Sequence, residues 1–316
     1  MWVCPIHMHQ YNSRLNGLSG RRRNNRIPFS SLGKTRTIQC AMVVQARKSF
    51  AAYVLDAING TNLKGVSWHA VASHSDQETL ELIGTLGRAS DVFALLGKNS
   101  EQVNAALAAL RGLGIHVLAF LSDLDPAVRS SYIGGDNRAS GRLAAFIIGR
   151  CLERDSEGAV ALITSKLAYR AWEDREIGFR SLLRGRFPGV RIIEAMIDKD
   201  PVDASCNDLV SALTGGRAIG AIYNVTGENR ALAEALYEIT PFPRPLYITH
   251  ELDGASEPLL RSGMIDFLIV QSLDAVIKAA SRVLFDLRAG KALIANAQLV
   301  PTELLSKFNP QLEEAL

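Results

Sequence analysis

Residues 92–121 read Val92-Phe-Ala-Leu-Leu96, Gly97-Lys-Asn-Ser100, Glu101-Gln-Val-Asn-Ala-Ala-Leu-Ala-Ala-Leu-Arg-Gly112, Leu113-Gly-Ile-His116, Val117-Leu-Ala-Phe-Leu121. Two short apolar runs without polar alternation suit strands buried on both faces. Between them, Val103, Leu107 and Leu110 fall on one face of a helix over 101–112. A strand, a covering helix and a second strand form the repeating unit of a parallel sheet.

The same rhythm extends outward on both sides. Upstream, the pattern predicts a strand over 38–44, a helix over 50–59, a strand over 67–72 and a helix over 77–86. The stretch 122–135 is rich in Asp, Ser, Pro and Gly and reads as a surface connection. Downstream, helices over 139–152, 172–184, 205–213 and 229–237 alternate with strands over 159–164, 191–196, 221–224 and 246–249. A helix over 258–262, a strand over 267–270 and an amphipathic helix over 274–287 follow, the last ending near Gly290 as a C-terminal glycine cap predicts. The fold class is α/β, with two similar Rossmann-like lobes built on parallel sheets.

At 316 residues, with 47% hydrophobic and 21% charged side chains, the chain can close one large core or two medium ones. Its charge is uneven. Residues 1–37 contain Arg14, Arg21, Arg22, Arg23, Arg26, Lys34 and Arg36 and no acid, which leaves 28 basic against 32 acidic groups in the body. An acidic body has little affinity for polyphosphate, so any DNA contact must come from the head, 1–37. That head shows no apolar helical periodicity and reads as a disordered basic tail, its DNA binding nonspecific and salt-sensitive.

Several chemistries lack their residues. Cys4, Cys40, Cys151 and Cys206 are scattered, with no CxxC and no histidine at ligand spacing, so no metal site is expected. The glycines of Gly134–Gly141 miss the dinucleotide spacing, and Asp136 or Asn137 reads as a helix cap. There is no G-x-S-x-G elbow, and the six histidines are dispersed. Neither a catalytic centre nor a cofactor is expected. Residues 1–31 lack a signal-like apolar run and no stretch reaches membrane-span length, which points to a cytoplasmic protein away from membranes.

Ligands of open parallel sheets bind beyond the carboxyl ends of the strands. In order, those ends offer Arg47 and Lys48, Asp123, the stretch Tyr169 to Arg175 with Trp172, Asn224, Glu251 and Gln271. Carboxylates, amides, a guanidinium and an aromatic face are what a polyhydroxylated ligand needs, although polar strand ends also serve as plain caps.

The blocks Tyr132–Ala145, Val160–Thr164, Asp174–Arg180, Ala221–Asn224 and Ile269–Gln271 occur in the order found in effector domains of lactose-repressor (LacI)-type transcription regulators. They are equally similar to the ribose-type periplasmic binding proteins. The resemblance covers about residues 38–305 and implies a periplasmic-binding-protein-like type I fold with discontinuous lobes. The chain would cross near Gly135, Gln271 and Ala297, giving a first lobe of 38–135 plus 272–297 and a second of 136–271 plus 298–316.

By the same resemblance Arg175 anchors ligand hydroxyls, Asn224, Glu251 and Gln271 join it, and Asp123 matches less closely. Glu251 stands where the family usually has Asp. The family's helix-turn-helix head is not recognisable in 1–37, so a truncated or replaced reader is expected. The implied function is effector sensing, with a sugar or sugar-like molecule closing the lobes of a homodimer; apolar faces such as Val103, Leu107 and Leu110 would support the pairing. The alternatives are a solute-binding protein of a sugar transporter, which needs an export signal, and an enzyme on a similar scaffold.

Overall fold

The computed structural model describes residues 37–152, 158–167, 169–197, 219–230, 232–233, 236, 244–291, 293 and 297–309. The head up to residue 36, the helix expected over 205–213 and four of the nine positions of the one over 229–237 lie outside these residues.

The first sheet contains β1 (Ile38–Gln45), β2 (Val66–Ser73), β3 (Val92–Leu96), β4 (His116–Phe120), β5 (Ser131–Gly135) and, much later, β11 (Ala297–Val300). Their spatial order is β11-β5-β4-β3-β1-β2, and every neighbouring pair is parallel. The second sheet contains β6 (Ala159–Ser165), β7 (Arg191–Ile197), β8 (Ile219–Asn224), β9 (Leu246–His250), β10 (Phe267–Gln271) and β12 (Thr302–Leu305), in the order β12-β10-β9-β8-β6-β7. Here only β12 runs antiparallel. The two orders are the same once β11 and β12 are matched.

Helices cover the sheets. In the first lobe they are α1 (Lys48–Asn59), α2 (Asp76–Leu82) and α3 (Glu101–Gly112). The second lobe has α4 (Asn137–Leu152), α5 (Arg170–Arg186) and α6 (Ser256–Arg261). Helix α7 (Leu273–Arg288) follows β10 but returns to the first lobe, where Val276, Ala280 and Leu284 share a core with Met42, Val54 and Leu118. Its turn out is Gly290, at φ 75°.

The structure corrects four expectations. The surface connection ends at Ser130, because Ser131–Gly135 is a strand with all five residues buried. Its glycines mark close approach rather than a turn: a Cβ at Gly134 would strike the Tyr132 ring, and Gly135 lies against Gln271 and Thr302. The helix over 77–86 is regular only to Leu82 and then widens into a π turn, Ile83–Gly87. Val103, Leu107 and Leu110 pack on their own sheet and offer no apolar face for pairing. The last crossing falls at Pro301, between β11 and β12, rather than near Ala297.

Candidate functional site

The carboxyl ends of the two sheets face each other across a cleft of about 870 Å³. Two residues in left-handed conformation shape its floor: Leu121 after β4, at φ 62°, and Glu251 after β9, at φ 68°. Each N–H still reaches the neighbouring strand, Leu121 to the Ile133 carbonyl (2.9 Å) and Glu251 to the Ile269 carbonyl (3.4 Å). Non-glycine residues are held so only where surrounding bonds enforce it. The turn at Leu121 presents Ser122 to the cleft and carries Asp123 away from it.

Arg47, Lys48, Tyr169, Trp172, Glu251 and Gln271 line the cleft, as their strand-end positions suggested. Tyr169 and Trp172 form a tilted ring pair with centroids 4.5 Å apart. Gln271 also ties the crossovers: its Oε1 accepts from Gly135 N–H (2.6 Å), and its Nε2 donates to the Leu121 carbonyl (3.3 Å).

The other three expected residues are placed elsewhere. Asp123 faces a smaller cavity of about 310 Å³ with Arg138, Arg170 and Asp174, and pairs with Arg129 at 2.5 Å. Burial raises its pKa, as does nearby Asp174, against the bonds from Leu124 N–H and Arg129. Asn224 is buried beneath the cleft, where it donates to the Glu228 carbonyl (3.0 Å) and accepts from Thr226 Oγ1 (2.8 Å).

Arg175 is 1% exposed. Its guanidinium donates to Asn137 Oδ1 (3.0 Å), to the Val225 carbonyl (3.1 Å) and to Glu251. The residue expected to grip a ligand therefore grips the site, and Glu251 is the member of the pair that reaches the cleft. Asp174 and Glu176 pair with other partners, Arg138 and Arg180. Asp136 does cap α4, accepting from Ala139 N–H at 2.8 Å.

Sequence reading missed the bonds that close the cleft. Arg47 of the first lobe donates twice to Asp253 of the second, at 3.2 and 2.9 Å, and Ser49 Oγ donates to the same oxygen at 2.9 Å. Tyr169 Oη donates to the Gln45 carbonyl (2.9 Å) and Ala171 N–H to Ser122 Oγ (3.2 Å). Burial alone would raise the Asp253 pKa; Arg47 and donors from Ser256, Ser49 and Ala255 outweigh it and hold it below the ordinary carboxylate range. An acid two residues after Glu251 was the available signal, but its partner lies 206 positions away.

Beneath the cleft, His250 hydrogen-bonds to Tyr223 Oη (2.8 Å) and to the Ile269 carbonyl (3.1 Å). Burial first, then the Arg175 charge, depress its pKa well below the usual imidazole value, opposed by the Ile269 bond. It is neutral at physiological pH. Among the described residues, no group of three or more His, Cys, Asp and Glu is arranged to hold a metal ion.

Two α/β lobes with a polar cleft at the carboxyl ends of both sheets define a two-lobed binding-protein architecture. The chain belongs to the periplasmic binding protein domain family, whose model matches residues 85–292. Among solved structures it is similar to a protein assigned to the LacI transcriptional regulators of Bacteroides fragilis, at 17% identity and TM-score 0.72 over 87% of this chain and 99% of that one. It is similar also to GanP, a glucose-galactose binding protein from Geobacillus stearothermophilus, at 17% identity and TM-score 0.73, over 86% and 98%. A carbohydrate transporter solute binding protein from Agrobacterium radiobacter, solved with D-arabinose, gives 17% and 0.72 over 89% and 99%. These likenesses establish the shared type I fold. No curated protein sequence matches the chain.

Proposed function

We propose that this chain is the ligand-sensing part of a LacI-type transcription regulator that holds a sugar or sugar-like small molecule between its lobes. The observation that carries the reading is the cleft, where hydroxyls, amides and the paired Glu251 carboxylate surround the Tyr169 and Trp172 rings. Such a mixture of donors, acceptors and ring face suits a polyhydroxylated molecule. The similar structures include a glucose-galactose binding protein and a solute binding protein holding D-arabinose. The blocks around 132–145 and 174–180, together with the likeness to the Bacteroides fragilis protein, support the regulator role.

In this reading the protein is a non-catalytic, cytoplasmic homodimer. Ligand shifts it between two states, and DNA is contacted only through a head not recognisable in residues 1–37. A second reading, a solute-binding protein of a sugar transporter, is favoured by the likeness to GanP and the arabinose-bound protein.

Calorimetry of the full chain against a panel of pentoses and hexoses tests the shared part: at least one binds at micromolar or tighter affinity, and binding by none sinks both readings. Transcript profiling of a deletion strain, with and without the bound sugar, separates them. Sugar-dependent expression changes support the regulator; unchanged transcripts together with recovery of the protein from the periplasm support transport.

A further inference from the structure

We propose that the cleft takes a hydroxyl-rich ligand bearing one anionic group, a phosphate or a carboxylate, held between Lys48 of the first lobe and Arg230 of the second. The proposal rests on the sugar reading above and narrows it.

The first observation is a reversal of sign. Beyond residue 37 the chain carries 28 basic against 32 acidic side chains, yet among the described residues the cleft lining contains Arg47, Lys48, Lys98 and Arg230 against Glu228 and Glu251. One guanidinium suffices to donate to sugar hydroxyls, so a surplus of cations in an otherwise acidic body fits an anion better.

The second observation is how those charges are matched. Glu251 is bonded by Arg175 from below, and Glu228 lies 3.9 Å from Arg47, which is itself fixed on Asp253. Lys98 donates to Asp76 at 2.7 Å. Among the described residues, Lys48 and Arg230 have no carboxylate within ion-pair distance. They enter one cavity from opposite lobes, so closure gathers two like charges that only an anion would offset. Ser165 Oγ, in the same lining, accepts from Leu167 N–H (3.2 Å) and keeps its own proton to donate. An anion touching both lobes binds the closed state better than the open one, which is the differential affinity a sensor requires.

The test is calorimetry of the full chain with matched sets: a neutral sugar, its terminal phosphate, its aldonate, and inorganic phosphate alone. At low salt one charged member is expected to bind about tenfold or more tighter than its neutral parent, the advantage shrinking as salt rises. Lys48→Gln and Arg230→Gln should each weaken that member about three- to tenfold more than they weaken the neutral parent, with the melting temperature unchanged because both side chains are exposed. The phosphate and aldonate arms identify the anion. Neutral parents binding as tightly as both charged derivatives, or variants that bind the charged member like wild type, would overturn the proposal and leave the sugar reading standing. If the folded chain binds no member of any set, both fall.

Discussion

A single guanidinium, that of Arg175, holds α4 through Asn137, the end of β8 through Val225 and the cleft through Glu251. Arg175→Ala leaves a largely buried carboxylate without its counter-charge, so it should destabilise the fold by about 3–5 kcal/mol in urea denaturation. Arg175→Lys should rescue little, because an ammonium lacks the planar fork that meets three acceptors. A fully stable Arg175→Ala would remove Arg175 from this role. His250 carries a pH prediction. Its folded pKa lies below the unfolded value of about 6.5, so between the two the unfolded chain binds more protons. Stability is then complete above about 6.5 and falls on acidification below it, by at most about 1.4 kcal/mol per pH unit. Thermal melts from pH 8 to 5 should show the fall, and His250→Gln should flatten it. At this scale the sequence revealed which strand ends carry Glu251, Gln271, Tyr169, Trp172 and Arg47. It could not reveal that Leu121 is left-handed, the rotation that sends Asp123 to Arg129 and puts Ser122 in its place.

Helices α4 and α5 cross with almost no space between them, because Gly141 faces the Arg175 carbonyl and Gly178 faces that of Arg138. The crossing sets the depth at which Arg175 enters the site. Gly178→Ala gains up to about 1 kcal/mol of helix propensity, but its methyl meets backbone that cannot yield as a side chain does. A net loss of about 1–3 kcal/mol is expected, with weaker ligand binding measured alongside; an unchanged or raised melting temperature would show that the helices separate freely. Legibility at this scale followed burial. Uninterrupted apolar runs such as Val92–Leu96 and Ala159–Ile163, each too short for a helix, read as interior strands. β5 was hidden because its glycines signal a turn when read alone, and β11 and β12 because four-residue edge strands carry too short a pattern.

The lobes are closed by protein groups, with Arg47 and Ser49 on Asp253 across the cleft. Removing this partly buried pair should cost the closed form about 1–3 kcal/mol, roughly a tenfold shift toward open molecules. Small-angle scattering without ligand should therefore give a larger radius of gyration for Arg47→Ala than for the parent; equal radii would mean the other interlobe bonds suffice. The sign for Asp253 follows from its depressed pKa: the contribution is present above the unfolded value of about 3.9 and is lost as pH falls through the lower folded one. Opening on this account should be flat from pH 5 to 8 and appear only in stronger acid. Two lobes were legible as two runs of one rhythm, whereas the interlobe bonds depend on pairs that no local pattern records. The interleaving of the lobes also orders events on the ribosome. When β5 emerges, β4 is already available, but its other neighbour β11 is still unmade, as is α7, and both follow most of the second lobe. A nascent chain halted before residue 297 would display the bare edge of β5 to any passing strand, so the first lobe, although begun first, is completed only after nearly all of the second has been made.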